Sequence, residues 1–86
     1  MINRKNSKKT EKSTGDIIRH WRRLKRTSQM ELALEVGVSS KHVSFVETGR
    51  SRPSRNLLLK IAQSLDLSLR NRNALLNAAG YSNEYN

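Results

Sequence analysis

Residues 28–53 constrain the fold of this chain more than any other stretch, because they contain two short helical patterns that meet at Gly37. Ser28 followed by Glu31 fits a capping box, in which each side chain accepts a hydrogen bond from the other residue's backbone N–H. Gly37 ends the first pattern and readily takes the left-handed backbone conformation found at helix C-termini. The stretch therefore predicts a helix, a tight turn and a second helix.

The second of these helices has one apolar face and one polar face. Ser39 is its expected N-cap, Val43 and Val46 are spaced to face a core, and the helix ends at Thr48. The side chains that point largely elsewhere are Ser40, Lys41, Ser44 and Phe45.

Three further helical patterns flank this pair. The first runs from a cap at Ser13 or Thr14 to near Arg26, the fourth begins after Ser54, and the fifth begins after Ser68. No strand pattern continues for more than a few residues. The sequence predicts an all-α fold with five helices around one small core and connections of two to six residues.

The flanks of the helical region lack this periodicity. We expect residues 1–12 to form a flexible basic arm, residues 13–80 the folded domain, and residues 81–86 a tail or the start of a linker. The arm suits DNA phosphates or a minor groove, as in homeodomains, but a solvated tail explains it as well.

Basic residues dominate the charge of the chain. Seventeen lysines and arginines stand against seven acidic residues, which gives a formal net charge of +10 at pH 7. Such an excess favours a polyanionic partner, although a solvated basic surface has the same composition. The sequence has no cysteine, no apolar run near the roughly 18 residues of a membrane span, and no secretory signal. These features predict a cytoplasmic protein without membrane association.

Catalytic signals are missing from the sequence. His20 and His42 belong to different helical patterns, and no cysteine or carboxylate pair accompanies them. No glycine-rich phosphate loop occurs either. We expect no enzyme activity, no cofactor and no metal site.

Several motifs in order resemble a known family. The string SQ-x-E-L-A from Ser28, the Gly37-Val38 turn, Glu47-x-Gly49 and Pro53-Ser54 resemble the lambda-repressor-like helix-turn-helix domain of Xre/Cro-type transcription regulators. The strings HVSFVETGRSRPSR, SLDLSLRNRNALL and AAGY are similar to the N-terminal domain of MmyB-like, bacterial-type regulators. In that subfamily the domain precedes a larger ligand-binding domain.

The resemblance implies which residues read base edges: Ser39, Ser40, Lys41, Ser44 and Phe45. Lys41 suits guanine O6 or N7, or a phosphate without sequence information. Phe45 suits a thymine methyl or a sugar edge, or it packs against its own helix or the loop that follows.

The resemblance also implies backbone contacts and a structural ion pair. The residues expected to contact phosphates are Gln29, His42, Arg50, Arg52 and Arg55, although His42 also suits a solvent-facing position. Arg22 and Glu47 match an ion pair that holds the reading helix in register.

These features together predict a sequence-specific regulator of transcription that binds double-stranded DNA. We expect a homodimer on a two-fold operator, with half-sites about 34 Å apart. The fifth helix is the candidate dimer surface, with Leu76 partly exposed, and any effector ligand would act through a missing C-terminal domain. An antitoxin-like protein-interaction module is the alternative, and RNA binding is disfavoured because few aromatic side chains are available to stack on bases.

Overall fold

The structure, a computed structural model, describes residues 12–85. Its helices are α1 (Thr14–Leu24), α2 (Gln29–Val36), α3 (Ser40–Glu47), α4 (Arg55–Ser64) and α5 (Leu69–Ala78). Within this range there is no strand, so the prediction of a five-helix, all-α domain is confirmed. The predicted basic arm, apart from Lys12, lies outside the described residues.

A serine caps the N-terminus of each of these five helices. Each serine Oγ accepts a hydrogen bond from the backbone N–H three residues later, at distances of 3.0–3.2 Å. The five caps are Ser13, Ser28, Ser39, Ser54 and Ser68. The capping box of α2 is closed by the Ser28 N–H, which donates to Glu31 Oε1 at 2.8 Å. Each cap contributes about 1 kcal/mol, which matters because helices this short are marginal alone.

The C-terminal ends of the helices follow the prediction less closely. Gly37 has a φ of +81°, as its place in the turn predicts. However, α1 ends at Leu24 rather than near Arg26, since Arg26 takes a left-handed φ of +57°. Asp66 does the same after α4, with a φ of +55°. The connection at residues 48–54 is one residue longer than the expected range.

One apolar core joins all five helices. α2 packs against α3 and α4, α1 packs against α3 and α5, and α4 packs against α5. The largest fully buried side chains are Ile18, Leu32, Leu58, Ile61, Leu65, Leu75 and Leu76. The expectation that Leu76 is partly exposed is therefore wrong, because α5 packs between α1 and α4 and leaves this side chain 0% accessible. Trp21 is partly buried and packs against this core.

Candidate nucleic-acid interface

Glu47, the last residue of α3, is the centre of a polar cluster under the helix pair. Its side chain is almost fully buried. Arg22 of α1 donates from Nε to Glu47 Oε2 at 2.7 Å and from Nη2 to Glu47 Oε1 at 3.0 Å. Gln29 of α2 donates from Nε2 to the same Oε1 at 3.0 Å. The predicted pair of Arg22 and Glu47 is thus present, and the cluster ties α1, α2 and α3 together.

Arg19 is a further member of this cluster that the sequence analysis missed. Its Nη2 donates to the backbone carbonyl of Glu47 at 3.0 Å, and its Nε lies 3.8 Å from Glu47 Oε1. Cations near the last carbonyls of a helix are favourable, because the helix dipole places negative charge there. In the sequence, Arg19 is one of several basic residues along α1, and only the three-dimensional packing distinguishes it.

Gly15 was also missed, and it permits a close approach of α1 to α3. A Cβ atom built on Gly15 would lie 2.1 Å from the backbone oxygen of Glu47 and 2.8 Å from its Cα. Both obstructing atoms belong to the backbone, so a side chain here would push the two helices apart. The only sign of this role in the sequence is that a glycine occurs in the first turn of a predicted helix.

The cluster sets the ionisation of Glu47. Burial opposes the charged form and raises the pKa, but the hydrogen bonds from Arg22 and Gln29 and the charges of Arg22 and Arg19 outweigh it. The pKa of Glu47 therefore lies below its ordinary range. The carboxylate is ionised at neutral pH and acts as a fixed anchor for α3.

This lowered pKa predicts a pH-dependent stability. A carboxylate with a depressed folded-state pKa stabilises the fold fully above the ordinary value of about 4.3, and that contribution disappears as pH falls through the folded-state pKa. We expect the difference in unfolding free energy between the native chain and Glu47→Gln to be largest near neutral pH and to shrink below about pH 4. Urea titrations across this range measure it, and a difference that stays constant on acidification would contradict the assignment.

The outer face of α3 carries the predicted base-reading residues. Val43 and Val46 are buried on the inner side. Opposite them, Lys41 is exposed, and Ser40, Ser44 and Phe45 are half-buried. Ser39 is exposed at the N-cap, where its Oγ accepts from His42 N–H at 3.0 Å and keeps its own hydroxyl proton free to donate.

Phe45 lies between two cations. The Lys41 Nζ is 5.8 Å from its ring centroid, and the Arg50 Cζ is 5.3 Å from the same centroid. Phe45 thus contacts its own helix and the loop that follows, as one of the two interpretations expects. The ring is half-buried. Its contact with a base stays a prediction.

The residues predicted to bind phosphate lie in three different surroundings. Gln29 and Arg50 lie near the C-terminal end of α3. The side-chain amide of Gln29 donates one of its two hydrogens to Glu47, and the second hydrogen is not donated to Glu47. Arg52 and Arg55 instead donate to backbone carbonyls of the C-terminal segment. Between residues 12 and 85 the His42 side chain makes no hydrogen bond. The phosphate contacts of all five residues stay predictions.

Residues 12–85 hold no group of three His, Cys, Asp or Glu side chains arranged to bind a metal ion. None of the five helices has both the length and the hydropathy needed to cross a bilayer.

The fold, the turn at Gly37 and the polar outer face of α3 define a helix-turn-helix domain of the lambda-repressor-like type. The sequence comparison agrees, since the helix-turn-helix family model HTH_3 matches residues 18–70. The chain belongs to this family, whose members are typically not enzymes. It is also similar to multiprotein-bridging factor 1 of Candida albicans, with 35% identity over 66 residues. That match covers 77% of this chain and 44% of the relative, so the chain spans less than half the length of that protein.

Proposed function

We propose that this domain is a transcription regulator that binds double-stranded DNA and reads its sequence with the outer face of α3. The observation that carries the proposal is the anchoring of α3 by Glu47 to Arg22 and Gln29, with the polar side chains of the helix turned away from the core. A helix held in this way can enter a major groove without repacking. Membership of the helix-turn-helix family supports duplex DNA as the partner.

In this proposal Ser39, Ser40, Lys41 and Ser44 contact base edges, and Phe45 contacts a thymine methyl. Lys41 is exposed on this face, and its ammonium group suits guanine O6 and N7. Affinity comes mainly from phosphate contacts of five side chains: Gln29, His42, Arg50, Arg52 and Arg55. Each phosphate neutralised changes the slope of log K against log salt by about 0.9.

Finer features of the regulator are part of the same proposal. We propose a homodimer on a two-fold operator, because a single α3 covers only a few base pairs. The burial of Leu76 removes one reason to place the dimer interface on α5. The closer relationship to MmyB-like regulators and a ligand acting through a C-terminal domain are proposed on the sequence resemblance. A cytoplasmic location is proposed on the lack of cysteine, of a membrane-length apolar run and of a secretory signal in the sequence.

Replacing Lys41 by alanine tests the reading face. We expect weaker binding to a preferred duplex by about five- to 150-fold, with relaxed preference at one base position. If Lys41 contacts only a phosphate, binding weakens equally on all sequences and the salt slope falls by about 0.9. Fluorescence anisotropy on matched duplexes at several salt concentrations separates these outcomes.

Lys60→Ala is the matched control, because Lys60 is also exposed but belongs to α4 rather than to α3. We expect Lys60→Ala to bind within about twofold of the native chain once the change in net charge is accounted for. Equal affinities for Lys41→Ala and Lys60→Ala on every duplex would contradict a role for α3 in the interface.

A further inference from the structure

The segment after α5 folds back onto the loop that precedes α4. Tyr81 Oη donates to the backbone carbonyl of Pro53 at 2.8 Å, and the Tyr81 ring packs against the edge of the core. Tyr81 N–H donates to Leu76 O at 2.9 Å. Residues 79–84, which we call the C-terminal clip, therefore lie against residues 52–55.

Polar contacts with α5 hold the far end of the C-terminal clip. Glu84 forms an ion pair with Arg72, and its backbone N–H donates to Asn73 Oδ1 at 2.7 Å. Asn73 Nδ2 returns a hydrogen bond to Glu84 O at 3.2 Å, and Asn77 Nδ2 donates to Asn83 Oδ1 at 2.7 Å. The clip is thus fixed to the domain by side chains as well as by its backbone.

The C-terminal clip orders two arginines that the proposed function assigns to DNA phosphates. Arg52 places its guanidinium carbon 4.5 Å from the Tyr81 ring centroid and donates from Nη2 to Ala79 O at 3.0 Å. Arg55 donates from Nη2 toward Ser82 O and Asn83 O, both at 3.4 Å. In each case one nitrogen is engaged, and the remaining N–H groups of the exposed Arg52 are left for another acceptor.

The charges of the groups that contact the two arginines determine whether the C-terminal clip competes with DNA phosphates for them or holds them ready to bind phosphate. The groups that contact Arg52 and Arg55 are neutral carbonyls and an aromatic ring, so neither positive charge is cancelled. The single carboxylate within the clip, Glu84, pairs with Arg72 instead. A neutral support restricts a long side chain without weakening its attraction to a phosphate, which lowers the entropy lost on binding.

We infer that Tyr81 is a positioning residue for the DNA-backbone contact, because it holds Arg52 and the loop at Pro53 in the conformation that meets a phosphate. The inference rests on the proposed function. It extends the interface beyond the helix-turn-helix to a residue that touches no DNA itself. It also distinguishes Arg52 from Arg50, which lies against Phe45 rather than the clip.

Tyr81→Leu tests the inference, with Tyr85→Ala, just after the C-terminal clip, as the control. Tyr85 is 81% exposed, so its removal takes away a tyrosine from the same end of the chain without changing the support of Arg52. We expect Tyr81→Leu to weaken binding by about three- to tenfold on every duplex, leaving the preferred sequence unchanged. Tyr85→Ala should bind like the native chain. Tyr81→Phe keeps the ring, so it serves as a second test if Tyr81→Leu does not fold. It should lose a smaller part of the affinity than Tyr81→Leu.

A double-mutant cycle separates positioning from a general loss of structure. If Tyr81 acts through Arg52, then Tyr81→Leu and Arg52→Gln together weaken binding little more than Arg52→Gln alone, whereas Tyr81→Leu and Lys41→Ala are additive. Equal coupling with both partners, or tighter binding by Tyr81→Leu, would overturn the inference. If the native chain selects no duplex sequence, the proposed function itself has failed; if it does and Tyr81→Leu binds as well as Tyr85→Ala, only the inference has failed.

Discussion

Replacing Arg22 by alanine is expected to lower the unfolding free energy by about 3 kcal/mol, because it leaves the buried carboxylate of Glu47 without its bidentate partner. For a domain of this size that loss lowers the melting temperature by roughly 12–24 °C. Arg19 and Gln29 still contact Glu47, which places the expected value at the low end for a broken buried pair. DNA affinity should fall in parallel, since α3 loses its anchor to α1.

Arg23→Ala is the control for this variant. It removes the same charge from the neighbouring, exposed position of α1, where no ion pair is formed among the described residues. Thermal unfolding by circular dichroism should show a change within about 0.5 kcal/mol for Arg23→Ala. An Arg22→Ala variant that melts like Arg23→Ala would mean that the pair with Glu47 contributes nothing to the fold.

Replacing Gly15 by alanine is expected to destabilise the domain by about 2–3 kcal/mol, even though alanine is the better helix former. The added methyl group would stand 2.1 Å from the carbonyl oxygen of Glu47, and a backbone cannot yield as a flexible side chain does. The conflict is relieved only when α1 and α3 move apart. That movement also disturbs the contact of Arg19 with the same carbonyl.

Asn56→Ala provides the comparison for Gly15→Ala, because Asn56 occupies the same second position of α4 and is exposed. Urea denaturation should place Asn56→Ala within about 0.5 kcal/mol of the native chain. If Gly15→Ala proves as stable as the native chain, or more stable, the close approach of α1 to α3 is wrong.

Local chemistry made the helices predictable. Four of the five serine caps were assigned from the sequence, and the fifth was narrowed to Ser13 or Thr14. This was possible because a capping serine accepts a hydrogen bond from the backbone N–H only three residues later. The left-handed backbone conformation of Gly37 likewise depends on local sequence. The pairing of Arg22 with Glu47 came from the family resemblance, and the structure contains it.

Features that depend on tertiary packing escaped the sequence analysis. The left-handed backbone of Arg26 leaves no mark in the hydrophobic periodicity, so the end of α1 was placed too late. The burial of Leu76 depends on how α5 lies against α1 and α4. The clip contacts of Arg52 and Arg55 join segments 27 and 28 residues apart, and an aperiodic tail gives no signal for them.

Selection from a pool of random duplexes tests the central claim most directly, because it asks whether the outer face of α3 carries sequence information. The native chain should enrich a short consensus, and Lys41→Ala or Ser40→Ala should change the preference at one or two positions of that consensus while Lys60→Ala leaves it intact. Enrichment of no consensus, with equal affinity for all duplexes, would contradict sequence-specific reading by this domain.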